Sequence, residues 1–199
     1  MKIYQFQNKN LILNSTMKLK ESKNITSILS MYFKNYGFIS DPCLYVTYDR
    51  IKISFFFFSI TGEIPTFQML ESVLSKTYSK NVVIEAVGMK YPFLNSRIYA
   101  QYIAYNILKK KDPQRGLQKD DLLGLISQVE KKTLKKIGVP IKLSGVNIKI
   151  SGRLMRNSAR TSTEEVSVGI LSPFKEKNLF VFKEKNGLNA ISVTLYSTP

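Results

Sequence analysis

Apolar positions along this chain fall into short periodic runs separated by turn-forming residues. Between Asn24 and Tyr36, the residues Ile25, Ile28, Leu29, Tyr32, Phe33 and Tyr36 recur at helical spacing, which predicts a helix with one buried face and Gly37 as its stop. Two strand-like runs follow, Leu44–Tyr48 and Ile51–Ile60, split by the turn-prone pair Asp49-Arg50, and together they predict a hairpin. The second run carries Phe55, Phe56, Phe57 and Phe58 and reads as a strand buried on both faces. After Pro65, residues 66–78 predict a helix and residues 81–87 a buried Val-Val-Ile strand.

Pro92 interrupts this pattern, so a domain boundary is expected near Met89 to Phe93. Beyond it Asn95 or Ser96 can cap a helix whose apolar stripe is Ile98, Tyr102, Tyr105 and Leu108. Its end, Lys109-Lys110-Lys111, suits the negative pole of a helix dipole and is equally a candidate contact for an anionic partner. A second helix is predicted over residues 119–137, with Leu122, Leu125, Ile126, Val129 and Leu134 inward and Gly138 ending it. Past Pro140 the period becomes two. Val146, Ile148 and Ile150 face one way, and Asn147, Lys149 and Ser151 the other. Leu179–Phe182 and Leu188–Tyr196, around Lys185-Asn186-Gly187, predict an antiparallel hairpin. The expected architecture is α/β in the α+β sense: an arm over residues 1–23, a domain over 24–90, and a C-terminal domain over 91–199 with two helices on a small, mostly antiparallel sheet.

Composition sharpens this picture. With 44% hydrophobic and 12% aromatic residues, the 199-residue chain is that of a folded protein. Thirty basic against 14 acidic residues leave a net charge of +16, a surplus usually matched by a polyanionic partner. The chain has no histidine, which removes the commonest general base and metal ligand. A lone cysteine, Cys43, excludes an internal disulfide or thiolate zinc site and reads as a small hydrophobe beside Leu44. Only carboxylate, lysine or tyrosine chemistry remains open, and no catalytic residue, metal site, cofactor or small-molecule substrate is expected. No apolar run reaches the roughly 18 residues of a membrane span, so no membrane partner is expected either. The first residues show neither a signal peptide nor an Arg-rich transit peptide, every basic residue before Arg50 being lysine. Heavy use of Lys, Asn, Ile, Phe and Tyr matches an AT-rich genome and points to an organelle-encoded gene.

The most informative charge window runs from Lys131 to Arg160. It holds Lys131, Lys132, Lys135, Lys136, Lys142, Lys149, Arg153, Arg156 and Arg160 and no acid. A solvated face normally mixes signs, so this window predicts a nucleic-acid backbone contact. Its lysines suit phosphate screening, and its arginines can fork onto phosphates or stack on bases. Gly152 would let the backbone approach the ligand closely.

Within that window, Gly145-Val146-Asn147-Ile148-Lys149-Ile150-Ser151-Gly152-Arg153-Leu154, followed by Ala159-Arg160-Thr161, resembles the signature of the third small-subunit ribosomal protein, the S-three family. The order of elements from Asn24 to Val87 is similar to that family's type II KH domain. The resemblance implies a structural constituent of the small ribosomal subunit that binds rRNA in the head, beside neighbouring head proteins and the mRNA entry path. Where such a domain would carry its Gly-x-x-Gly clamp, this chain has Ile60-Thr61-Gly62-Glu63-Ile64-Pro65, and Glu63 would repel phosphate. The first domain is thus expected to be a KH-like scaffold without its RNA clamp. Such erosion resembles the mitochondrial members, implying a ribosome of the mitochondrial matrix, with a plastid-type organelle as the alternative.

Two other readings differ in class. A free RNA-binding chaperone or translational activator would show the same basic patches. Leu122-Leu123-Gly124-Leu125-Ile126 resembles the helix of organellar homing endonucleases, but Val129 stands where a metal-binding carboxylate is needed.

Overall fold

In a computed structural model of the chain, residues 19–62, 65–109, 142–153, 161–184 and 187–198 are described. The chain divides into two compact units, Met1–Tyr91 and Pro92–Pro199.

The first unit places two helices on one face of a mixed sheet. Helix α1 spans Leu19–Phe33 and is followed by strands β1 (Gly37–Ile39), β2 (Cys43–Val46) and β3 (Arg50–Ser59), then helix α2 (Gln68–Tyr78) and strand β4 (Asn81–Gly88). The helix therefore starts earlier and stops sooner than its periodicity predicts. Gly37 is not its stop: it opens β1, a strand the sequence reading lacked, where a Cβ would come within 3.0 Å of the Phe58 carbonyl carbon. β1 and β2 pair antiparallel with successive parts of β3, and β4 pairs parallel along its other edge. The hairpin prediction holds for β2 and β3.

Between β1 and β2 the ladder takes up one additional residue, since Ile39 faces Phe57 whereas Cys43 faces Ser54. Ser40 holds this kink: its N–H donates to Phe56 O (2.9 Å) and its Oγ accepts from Phe56 N–H (3.0 Å). Pro42, which cannot donate to a ladder, occupies the break.

Ile51, Ile53, Phe55 and Phe57 of β3 meet Ile25, Leu29 and Phe33 of α1 and Leu70 and Leu74 of α2 in one core. Phe33 sits at its centre, edge-on to Phe55 with ring centroids 5.3 Å apart and within 6.0 Å of Phe57 and 5.9 Å of Phe67. The strands are buried mainly on this face. Lys52 and Val83 of the opposite face are exposed and Phe56 and Phe58 only half-buried, which corrects the expectation of burial on both faces. Two amides of β4 not used against β3 are satisfied by α2, where Ser75 Oγ accepts from Val82 N–H (3.0 Å) and Glu71 Oε1 from Ile84 N–H (2.8 Å). That helix thereby closes an edge otherwise open to pairing.

The second unit opens with a 3₁₀ turn, Pro92–Leu94, and helix α3, Ser96–Lys109. Asn95 caps α3, its Oδ1 accepting from the N–H groups of Arg97 (3.2 Å) and Ile98 (3.1 Å). The buried face is Ile98, Tyr99, Ala100, Ile103 and Ala104. This rotates the expected stripe, leaving Tyr102 and Tyr105 half-buried and Leu108 exposed. Strands β5 (Lys142–Gly152), β6 (Ser162–Gly169), β7 (Lys175–Glu184) and β8 (Gly187–Thr198) form an antiparallel sheet in the order β6-β5-β8-β7. β6 is an addition to the predicted strands. The second predicted helix and the homing-endonuclease-like segment lie outside the described residues, as do residues 1–18 of the arm expected over 1–23; residues 19–23 of that arm instead form the first turn of α1.

Candidate nucleic-acid interface

Alternation gives the second sheet two chemically distinct faces. Val146, Ile148, Ile150, Val166, Phe182, Ile191, Val193 and Leu195 are buried on the side that receives α3. On the same side Glu176 meets the start of that helix. Its Oε1 accepts from Ser96 Oγ (2.6 Å) and Ser96 N–H (3.4 Å), placing a carboxylate at the positive helix pole. Asn178 Nδ2 donates to Ser96 Oγ at 2.6 Å.

Strand β7 therefore sorts its charge by parity. Glu176, Asn178, Phe180 and Phe182 share the helix side, and Lys175, Lys177, Leu179, Val181 and Lys183 the other, where all five are exposed. Lys149 of β5 emerges on that outer face too, with Asn147, Ser192 and Thr194 around it by register. The three β7 lysines were missed when charge was read along the chain, although period-two alternation in Lys175–Lys183 carried the signal.

Glu165, brought by β6 directly opposite Lys149, ends the acid-free character of the window. Its Oε1 accepts from Asn147 Nδ2 (2.9 Å) and its Oε2 lies 3.6 Å from Lys149 Nζ. The hydrogen bond from Asn147, with the Lys149 charge next, holds this carboxyl below the usual carboxylate range. Both partners are about half-exposed, with side-chain exposures of 52% and 49%, so the pair is weak and screened by salt.

At the end of β5, Arg153 N–H donates to Asn189 Oδ1 (3.0 Å), while Asn189 Nδ2 donates to Glu184 Oε2 (2.8 Å). Asn189 is buried, and a Cβ on Gly152 (φ +145°) would overlap its amide and lie 2.9 Å from its Cα. The close approach that Gly152 permits is thus to Asn189, a correction to the expectation of a ligand there. Arg153 is exposed, and its stem passes Gly187 at the start of β8.

Of the expected basic residues, the structure brings Lys149 and Arg153 to one end of β5, whereas Lys142 opens that strand opposite Thr198. Lys109 ends α3 with Nζ 5.7 Å from the Tyr105 ring centroid, a local partner for its charge. Lys110, Lys111, Lys131, Lys132, Lys135, Lys136, Arg156 and Arg160 lie outside the described residues. Cys43 is half-buried, and burial, with Asp41 second, pushes its thiol up. Among the described residues no group of three or more His, Cys, Asp or Glu side chains could hold a metal ion, and no helix is long and apolar enough to cross a membrane.

A basic sheet face of this kind suits contact with a polyanion, and comparison with known proteins specifies the class. The family model described as mitochondrial ribosomal protein (VAR1) matches residues 2–197. The chain belongs to this mitochondrial ribosomal protein family, and is a structural protein, not an enzyme. It is also similar to the small ribosomal subunit protein uS3m of Mycosarcoma maydis, 28% identical over 132 residues covering 59% of this chain and 46% of that protein. The chain thus matches about half the length of this relative.

Proposed function

We propose that the chain is a resident of the mitochondrial small ribosomal subunit and binds its rRNA in the head, near the mRNA entry path. The observation that carries this reading is the sorting of charge in the second unit. Lys149, Lys175, Lys177 and Lys183 share the sheet face that α3 leaves open, and Arg153 lies at its end. Lysines spaced along strands of a rigid sheet suit a phosphate backbone, and the neighbouring Asn147 and Ser192 suit sugar and phosphate hydrogen bonds. Lys131, Lys132, Lys135, Lys136, Lys142, Arg156 and Arg160 are proposed as further phosphate contacts on the grounds of their charge, with Lys109, Lys110 and Lys111 as a secondary contact.

The first unit, over residues 24–90, is read as a KH-like scaffold. Support comes from its order of helix, kinked strand, strand, helix and strand; residues 91–199 form the S-three-like domain. With one glycine, Gly62, at the clamp position, RNA contact is assigned to the second domain. The gene is proposed to be organelle-encoded, on composition. Neighbouring head proteins and mRNA at the entry path complete the set of partners. Replacing Arg153 and Arg160 together by Ala tests the assignment. Incorporation into the small subunit should drop while the purified chain keeps its melting temperature, and normal incorporation would remove both residues from the interface.

A further inference from the structure

The first unit carries an open cleft of about 1370 Å³ between the β2–β3 turn and the α2–β4 connection, lined among others by Tyr48, Asp49, Lys76, Tyr78 and Lys80. It exceeds the ~300–1,000 Å³ of ordinary small-molecule pockets and suits a segment of a polymer. We propose that this cleft binds single-stranded RNA, with Tyr48 as a base-stacking platform and Lys76 and Lys80 as phosphate contacts. The proposal extends the ribosomal reading and adds a site in the unit that reading treats as scaffold.

Tyr48 is 92% exposed, the most exposed large apolar side chain among the described residues. Its ring gains almost nothing from the fold, yet the backbone presenting it is tightly tied. Thr47 N–H donates to Arg50 O (2.8 Å), and Arg50 N–H donates to Thr47 Oγ1 (3.2 Å). Two further bonds cross the cleft floor, from Asn81 N–H to Asp49 O (3.0 Å) and from Lys80 Nζ to Thr47 O (3.2 Å). A ring held out on a fixed turn loses little conformational freedom when a base stacks on it. Stacking platforms for single strands combine such rings with cations that follow the backbone. Lys76, Lys80 and the adjacent exposed Arg50 supply the cations, against one carboxylate, Asp49. Unstacked bases are the elements of RNA that an exposed ring can reach, so a single strand is favoured over a duplex.

The test uses the full chain and a labelled ten-residue oligouridine, with a duplex of equal length as reference, followed by fluorescence anisotropy. Tyr48→Ala should weaken oligouridine binding by about fivefold or more and Tyr48→Phe should bind as wild type, because the π face and not the hydroxyl does the work. Lys76→Gln should lower the salt slope of binding by about 0.7, the value for one phosphate of a single strand. The exposure of Tyr48 means that thermal melting should be unchanged in both tyrosine variants. Unchanged oligouridine affinity in Tyr48→Ala, or equal loss in Tyr48→Phe, would overturn the proposal. So would wild-type RNA binding by Tyr48→Ala accompanied by failed subunit incorporation, which would assign the ring to a protein neighbour. Failure of the wild-type chain to bind any RNA, small-subunit rRNA included, would instead remove the broader ribosomal reading and this site with it.

Discussion

Lys149 and Glu165 face each other across the β5–β6 ladder, with Glu165 Oε2 3.6 Å from the lysine ammonium. A lysine counted as a free cation in the sequence thus has a carboxylate neighbour in the fold. Phosphate binding at Lys149 must displace or share this partner. Glu165→Gln keeps the hydrogen bond from Asn147 within reach and removes the charge, so it should tighten binding to a small-subunit rRNA fragment by about twofold to fivefold at low salt. The gain should fade as salt rises, since an exposed charge is screened. Anisotropy titrations at two salt concentrations measure this, and unchanged affinity of the variant at low salt would show that Lys149 is not on the RNA face.

Gly152 and Asn189 form a second dependency. Because a Cβ at Gly152 meets buried Asn189 and the residue sits at φ +145°, Gly152→Ala should destabilise the chain by about 2 kcal/mol or more. Asn189→Ala removes the acceptor for Arg153 N–H and the donor to Glu184, and should itself lose about 1–2 kcal/mol. In the double variant the overlap is relieved, so the two losses should fall short of additive. Urea denaturation of the three variants tests the coupling; strictly additive losses would argue against contact between the two residues.

Tyr99 is buried in the second unit with its hydroxyl lacking a hydrogen-bond partner among the described residues. Burial, with Tyr102 second, raises its phenol above the ordinary value of about 10. A raised folded-state pKa means that the unfolded chain releases the proton first. The stability Tyr99 contributes is therefore intact below about pH 10 and is lost as pH rises from there towards the folded value. Tyr99→Phe should raise stability at pH 7 by about 1 kcal/mol and flatten the alkaline decline. Urea midpoints at pH 7 and above pH 10 check both parts; a destabilised variant at pH 7 would reveal a partner for the hydroxyl.

Ser96 and Glu176 join the start of α3 to β7. Glu176→Ala should cost about 1 kcal/mol by leaving the Ser96 amide and hydroxyl without the carboxylate, whereas Lys177→Ala, on the outer face, should leave stability unchanged. Melting temperatures of the two variants separate the roles of adjacent residues of opposite charge, and equal losses would contradict the assignment of faces.

Local patterns were legible where one period dominated. The alternation of Val146, Ile148 and Ile150 gave β5, and the spacing of Ile25, Leu29 and Phe33 gave the buried face of α1. Short or bulged elements were hidden. β1 has three residues and follows a glycine that reads as a helix stop, and its pairing depends on the Ser40 kink. β6 carries Glu164 and Glu165 and looks like a loop until β5 supplies its partner. The basic surface was half visible for a related reason. Counting charge along residues 131–160 ignores faces, so it included Lys149 without Glu165 and passed over Lys177 and Lys183, whose side of the sheet follows only from the inward phenylalanines Phe180 and Phe182.

The central claim is residence in the small ribosomal subunit, and sedimentation of a mitochondrial lysate on sucrose gradients at low and moderate salt, with the chain quantified by mass spectrometry, tests it most directly. Stoichiometric migration with the small subunit at both salt concentrations is the result predicted. Recovery in light fractions, or loss from the particle at moderate salt, would contradict it and identify a free RNA-binding factor.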